Sequence, residues 1–232
     1  MNAVLARLRG GLVVSVQAEA GSALDTPETI ALLARCAAAN GAAGVRIEGE
    51  LRIAAVRAAL PGLPIVGIIK RKHAGFEPYI TSTCEEVAAA ACAGADVVAF
   101  DATARSRPGG AAVADLIGCA RAAGVLAMAD CSESADAVAA AAAGADIVAT
   151  TLAGYTSATE GRALPALDLV AEIAARHPFG VCEGGIGSPQ QAEAAFAAGA
   201  AAIVVGTAIT NVDALVRRFA AAAPGAQFFR ER

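Results

Sequence analysis

Ala93-Gly94-Ala95-Asp96-Val97-Val98-Ala99-Phe100-Asp101 and Ala143-Gly144-Ala145-Asp146-Ile147-Val148-Ala149-Thr150-Thr151 are two copies of one phrase. In each, an alanine-rich helical run ends at a glycine able to take the left-handed conformation, and a short β-branched strand follows. Ala198-Gly199-Ala200 leading into Ile203-Val204-Val205-Gly206 is a third copy. Asn40-Gly41-Ala42 before Gly44-Val45-Arg46-Ile47-Glu48 is a fourth. Four such joints predict repeating βα units.

Working outward from them, strands are predicted at 12–17, 45–48, 65–70, 97–101, 126–131, 147–152, 181–183 and 203–206. Helical patterns separate them at 27–39, 51–60, 82–93, 110–123, 133–143, 165–176, 188–198 and 211–222. Eight units in 232 residues give 29 residues each, near the size of a (β/α)8 barrel. No Gly-x-Gly-x-x-Gly turn follows the first strand, which disfavours a doubly wound open sheet. No linker or low-complexity stretch divides the chain, so the expectation is an α/β protein, a single TIM barrel spanning 1–232.

Hydrophobic residues make up 56% of the chain, but much of that is alanine, and no stretch reaches the about 20 bulky apolar residues of a spanning helix. A net charge of −4 without any basic run argues against a nucleic-acid partner. Residues 1–10 lack the apolar region of a secretion signal. The six cysteines show no paired short spacing and only two histidines are present, so no metal site is expected. The cysteines are expected to be mostly reduced core residues of a cytoplasmic protein, Cys131 and Cys182 among them. His73 and His177 are expected at the surface.

A barrel of this kind carries its active site at the C-terminal ends of the strands. Gln17 closes the first predicted strand, Arg46 and Glu48 the second, Lys70 the third and Asp101 the fourth. Asp130, the pair Thr150 and Thr151, and Glu183 close the fifth, sixth and seventh. For Asp101 and Glu48 a structural ion pair with Arg46, Arg105 or Arg107 is expected. Lys70, Asp130 and Glu183 converge from separate strands, which points to chemistry. The turns Glu183-Gly184-Gly185-Ile186-Gly187 and Val205-Gly206-Thr207-Ala208 follow the last two strands, and glycines there let backbone N–H groups face a phosphate.

These strand ends, in this order, resemble the N-acetylmannosamine-6-phosphate 2-epimerase family. The resemblance runs nearly end to end. Its most specific phrases are Ile-Lys-Arg (69–71), Asp-Cys-Ser (130–132) and Thr-Thr-Leu-Ala-Gly-Tyr-Thr (150–156). It implies a cytoplasmic ribulose-phosphate-binding-type barrel of sialic-acid catabolism, acting without metal or other cofactor on a small sugar phosphate; the sequence leaves the oligomeric state open, a homodimer among the options. It also implies that Lys70 and Glu183 transfer protons. Gln17, Arg46, Asp130 and Thr151 would contact the sugar, and Gly184, Gly185, Gly206 and Thr207 would hold the phosphate. The chain departs from the family at Gly185, where a polar or basic side chain is common. It departs again at Asn211-Val212, where Arg-Pro is common, and at Val16, where cysteine is usual.

Inversion at C2 of an amino sugar needs the open-chain aldehyde, because only then is the C2 proton acidic. A lysine with its ordinary pKa of about 10.4 is a poor base near neutrality; desolvation and Arg46 or Arg71 act to lower it, while Glu183 and Asp130 act to raise it. Three other activities compete. A pentose-phosphate epimerase would need metal-binding histidines at the strand ends. An aldolase would use Lys70 as a Schiff base. A silent sugar-phosphate sensor would bind without turnover.

Overall fold

A computed structural model describes residues 2–225; residue 1 and residues 226–232 of the expected domain lie outside the described residues. The strands are β1 Leu12–Val16, β2 Gly44–Glu48, β3 Ile65–Ile68, β4 Val97–Asp101, β5 Leu126–Asp130, β6 Ile147–Ala149, β7 Gly180–Glu183 and β8 Ala202–Val205. They pair in parallel in sequence order, and β8 closes on β1. The early helices are α1 Ala3–Leu8, α2 Pro27–Ala39, α3 Glu50–Ala59, α4 Cys84–Cys92 and α5 Val113–Ala122. The later ones are α6 Ser134–Ala142, α7 Leu167–Ala174, α8 Pro189–Ala197, α9 Thr207–Thr210 and α10 Val212–Ala220. The expected barrel is therefore present.

Strand parity sorts the side chains into two buried layers. Val14, Val45, Ile47, Val98, Phe100, Ala129 and Val148 pack outward against Ile30, Ile53, Val56, Val87 and Leu116 of the helices. Val13, Val66, Ile68, Val97, Ala99, Met128, Ile147, Val181 and Val204 fill the lumen. A strand alternates its faces with a period of two. Carrying the inward parity up each strand and just past it arrives at Gln17, Arg46, Lys70, Asp101, Asp130, Thr151, Glu183 and Gly206. The lumen layer that makes the core thus delivers the polar residues to one rim.

The helices start where the sequence offers caps. Thr26 with Pro27, Thr83 and Ser188 each accept a first-turn N–H of α2, α4 and α8, a contact worth ~1 kcal/mol. Among the repeat glycines, Gly94 and Gly144 stand at φ of 107° and 91°, as the helix-to-strand joints require.

Several expectations need correction. β3 stops at Ile68, and Lys70 instead forms an isolated antiparallel bridge with Ile80. β6 stops at Ala149, so Thr150 and Thr151 lie in the turn above it. The glycine turn after β8 is partly helical, since Thr207 opens α9. Helix α1, not anticipated, sets Leu8 beneath the lumen core together with Val4 and Leu5. The cysteines differ most. Cys84, the first residue of α4, is disulfide-bonded to Cys119 of α5, with 5.7 Å between their Cα atoms. Cys36 and Cys92 lie exposed on the outer faces of α2 and α4. Only Cys131 and Cys182 are buried. Alanine-rich helices have small side chains on every face, so their apolar pattern does not distinguish an inward cysteine from an outward one. A separation of 35 residues leaves no short-spacing signature of the bond.

Candidate active site

At the C-terminal rim the side chains line a cavity of about 690 Å³. Its walls include Gln17, Arg46, Lys70, Thr151 and Glu183 from below, and Gly184–Gly187 and Gly206–Ala208 from one side. A second hollow of about 660 Å³ shares Gln17, Lys70, Gly206 and Thr207 with it and extends toward Glu48 and Arg52.

Arg46 is the hub. Its side chain is only 2% exposed. Its Nη1 donates to Asp130 Oδ1 at 3.1 Å and Glu183 Oε2 at 2.7 Å, and its Nη2 to Asp130 Oδ2 at 2.6 Å. The Thr151 hydroxyl donates to Asp130 Oδ1 at 2.6 Å and stands 3.2 Å from Glu183 Oε2. Thr150 holds the backbone of Glu183 through its hydroxyl, which donates to the carbonyl and accepts the N–H. Burial works against charge on Arg46, but the carboxylates of Asp130 and Glu183 outweigh it and hold the guanidinium above its ordinary pKa.

That arrangement sets the two proton-transfer candidates. Burial pushes the Glu183 carboxyl up to about 7; Arg46 pulls against it, and the Asp130 charge adds to the rise. Glu183 therefore changes charge near neutrality. Desolvation by the surrounding walls lowers the pKa of Lys70, and the Arg46 charge lowers it further against Glu48, Glu183 and Asp130. Both shifts favour proton exchange at neutral pH. Because β3 and β7 are four strands apart in a closed ring of eight, Lys70 and Glu183 face each other across the mouth.

The segment following Lys70 is pinned. Thr81 donates its N–H to the Ile69 carbonyl and accepts the Ile69 N–H on its hydroxyl. Thr81 adopts φ of 45°, a left-handed conformation that costs a β-branched residue of order 1–3 kcal/mol. Buried Glu86 accepts the Ser82 N–H at 2.6 Å and pairs with His73 at 2.9 Å. His73 is thus a half-buried strut, not the surface residue expected. His177 likewise bonds the Ala145 carbonyl and the Phe179 N–H.

Gln17 donates to Ser15 at 2.7 Å, while its Oε1 is buried and without a partner among the described residues. The amides of Gly184, Gly185, Gly206 and Thr207, all on the cavity wall, donate to no group among the described residues. Gly185 has φ of 75°, and a Cβ there would sit 2.3 Å from the Leu164 Cβ. Both facts exclude a side chain at that position. Gly206, by contrast, has negative φ, and a Cβ there would sit 3.1 Å from the Ser15 Cβ, a tight approach.

The other strand-end residues are structural. Asp101 accepts from the Thr103 hydroxyl and N–H and from Arg105, while Arg107 donates to its carbonyl. Glu48 pairs with Arg52 one turn into α3, a partner the sequence reading did not name. Burial raises the Cys131 thiol pKa well above its usual value and that of Cys182 to about 11, so neither is an activated nucleophile. Among the described residues no cluster of three or more His, Cys, Asp or Glu is placed to hold a metal ion, and no helix is long and apolar enough to cross a membrane. Sequence reasoning missed Ser15, Thr81 and the α10 residues that reach the cavity, because their roles arise from contacts between distant segments.

A family model described as "Putative N-acetylmannosamine-6-phosphate epimerase" matches residues 30–224. A relative from Synechococcus elongatus named "Putative N-acetylmannosamine-6-phosphate 2-epimerase" is 46% identical over 227 residues, covering 94% of this chain and 95% of its own length. One of the same name from Yersinia pestis (strain Pestoides F) is 47% identical over 207 residues, with 89% and 87% covered. The solved N-acetylmannosamine-6-phosphate 2-epimerase from Clostridium perfringens superposes with a TM-score of 0.91 at 35% identity, covering 95% of this chain and 96% of that one.

Proposed function

The chain belongs to the N-acetylmannosamine-6-phosphate epimerase family, and we propose that it interconverts N-acetylmannosamine 6-phosphate and N-acetylglucosamine 6-phosphate by proton transfer at C2. The observation that carries the reading is the placement of Lys70, two residues past β3, and Glu183, at the end of β7, on opposite sides of one cavity. Such an enzyme serves the breakdown of amino sugars, sialic acid included.

In the open-chain form the C1 aldehyde makes the C2 proton acidic. One group of the pair takes that proton, the C2–H electrons form the C1–C2 double bond of an enolate whose negative charge rests on the C1 oxygen, and the other group delivers a proton to the opposite face of C2. In the reverse direction the two exchange roles, so the pair must carry one proton between them. Arg46 and Thr151 fix the Glu183 carboxyl, and Asp130 fixes Arg46. The free Oε1 of Gln17 suits a substrate hydroxyl or amide N–H. The four unpaired amides of Gly184, Gly185, Gly206 and Thr207 suit the phosphate oxygens.

A sugar phosphate carries charge that keeps it from crossing a bilayer, which supports a cytoplasmic location. As for assembly, Val212, Val216 and Phe219 form an exposed apolar stripe on α10 at i, i+4 and i+7 spacing, which supports pairing with a second copy. Incubation with N-acetylmannosamine 6-phosphate, followed by NMR of the C2 proton, tests the reaction. The C2 epimer should accumulate to equilibrium. Unchanged substrate in the presence of folded protein would refute it.

A further inference from the structure

We propose that Arg218 of α10 supplies the positive charge that binds the substrate phosphate at this site, an inference that rests on the reaction proposed above. A phosphate monoester carries about −1.5 to −2 charges at neutral pH. The glycine amides on the cavity wall offer N–H donors but no net charge. Arg46 is committed to Asp130 and Glu183. Lys70 stands at the reacting carbon, across the mouth from Glu183. Of the cations that line the cavity, this leaves Arg218.

The build of α10 supports the assignment. Ala214, Leu215, Arg218 and Phe219 line the cavity together, at the i, i+1, i+4 and i+5 positions that share one side of a helix. Side chains on a helix lean toward its N-terminus, which directs Arg218 back toward Asn211 and the Gly206–Ala208 wall. Its neighbour Arg217 faces elsewhere and is occupied, pairing with Glu19 at 2.5 Å. Asn211 also binds Glu19 and caps α10 by accepting the Ala214 N–H, and Ser22 donates to Asp213. These contacts fasten α10 over the rim through Arg217, Asn211 and Asp213. Arg218, by contrast, makes no ion pair or hydrogen bond among the described residues. The two adjacent arginines therefore divide the work, one as a strut and one as an anion ligand. A guanidinium presents paired N–H groups that match two phosphate oxygens.

The test uses the full chain with R218A, R218K and, as a control on helix placement, R217A. Steady-state kinetics with N-acetylmannosamine 6-phosphate are measured beside calorimetric binding of inorganic phosphate. For R218A the KM should rise at least tenfold with kcat within threefold of wild type, and phosphate affinity should fall at least tenfold. R218K should lie between, because it keeps the charge but loses the fork. R217A should lower thermal stability while leaving phosphate affinity within threefold. Phosphate affinity and KM unchanged in R218A would overturn the proposal. So would an equal loss in R217A, which would trace the effect to the position of α10. If the wild-type chain does not epimerise the sugar phosphate, the reaction reading fails, and the phosphate titration alone still decides for or against Arg218.

Discussion

Replacing Arg46 by Met removes the one cation placed between Asp130 and Glu183 and leaves two buried carboxylates facing each other. Breaking a buried pair by deleting one partner costs about 3–5 kcal/mol, because the remaining charge is uncompensated. For a chain of this length the unfolding entropy is roughly 0.5 kcal/mol/K, so a loss of ~4 kcal/mol lowers Tm by roughly 8 °C. The loss should also depend on pH, and its sign follows from Glu183. That group already titrates at about 7, burial having raised it against the pull of Arg46. Without Arg46 its pKa rises further. A carboxyl whose folded pKa lies above the unfolded one favours the fold at low pH and loses that contribution as the pH rises through the folded pKa. The Tm deficit of R46M relative to wild type should therefore be larger at pH 8 than at pH 5.5, by at least about 2 °C if the shift grows by one unit. Thermal unfolding followed by circular dichroism at the two pH values measures both quantities. A deficit below 2 °C, or one as large at pH 5.5 as at pH 8, would refute the account of Arg46 as the hub.

Other outcomes follow from the same geometry. Because Lys70 and Glu183 must share one proton and Glu183 titrates at about 7, kcat/KM should fall about tenfold per pH unit below that value; a flat profile from pH 5 to 8 would contradict the pairing. Gly185→Ala should cost at least ~1–2 kcal/mol by urea unfolding, from its φ of 75° and the contact with Leu164, and a neutral result would show that the turn differs from the one described. Cys84→Ser should lose up to ~4 kcal/mol of stability under oxidising conditions and almost nothing with reductant present, the upper value being the loop-closure estimate for a 35-residue separation. Equal Tm in both conditions would mean that the bond does not form.

The fold was legible because the helix–glycine–strand joints repeat, and parity along each strand carried the reading to the rim. Of the residues singled out at the strand ends, Gln17, Arg46, Lys70, Thr151, Glu183 and Gly206 share one cavity, whereas Asp130 and Asp101 are buried beneath the rim and line neither hollow. What the sequence did not disclose depends on contacts across the ring. Nothing local to Arg46 shows that it is buried against a carboxylate 84 residues away, and the burial that sets both shifts at the mouth follows only from the closed ring. Glu48 was expected to pair along its own strand or with Arg105 or Arg107, yet the first turn of α3 brings Arg52 within 3.0 Å. Cys84 and Cys119 meet only because α4 and α5 are neighbours on the outer layer. Arg218 looks like any solvated helix arginine until α10 is seen to lie over the cavity.

The central claim is that two groups on opposite sides of the mouth move the C2 proton, and epimerisation in deuterium oxide tests it most directly. Protons on a carboxyl or an ammonium exchange rapidly with solvent, so the group that delivers to C2 delivers deuterium. The account predicts that N-acetylglucosamine 6-phosphate formed at low conversion carries deuterium at C2, with essentially none of the abstracted protium, by NMR and mass spectrometry. Product that retains a substantial share of the original protium at C2 would contradict it.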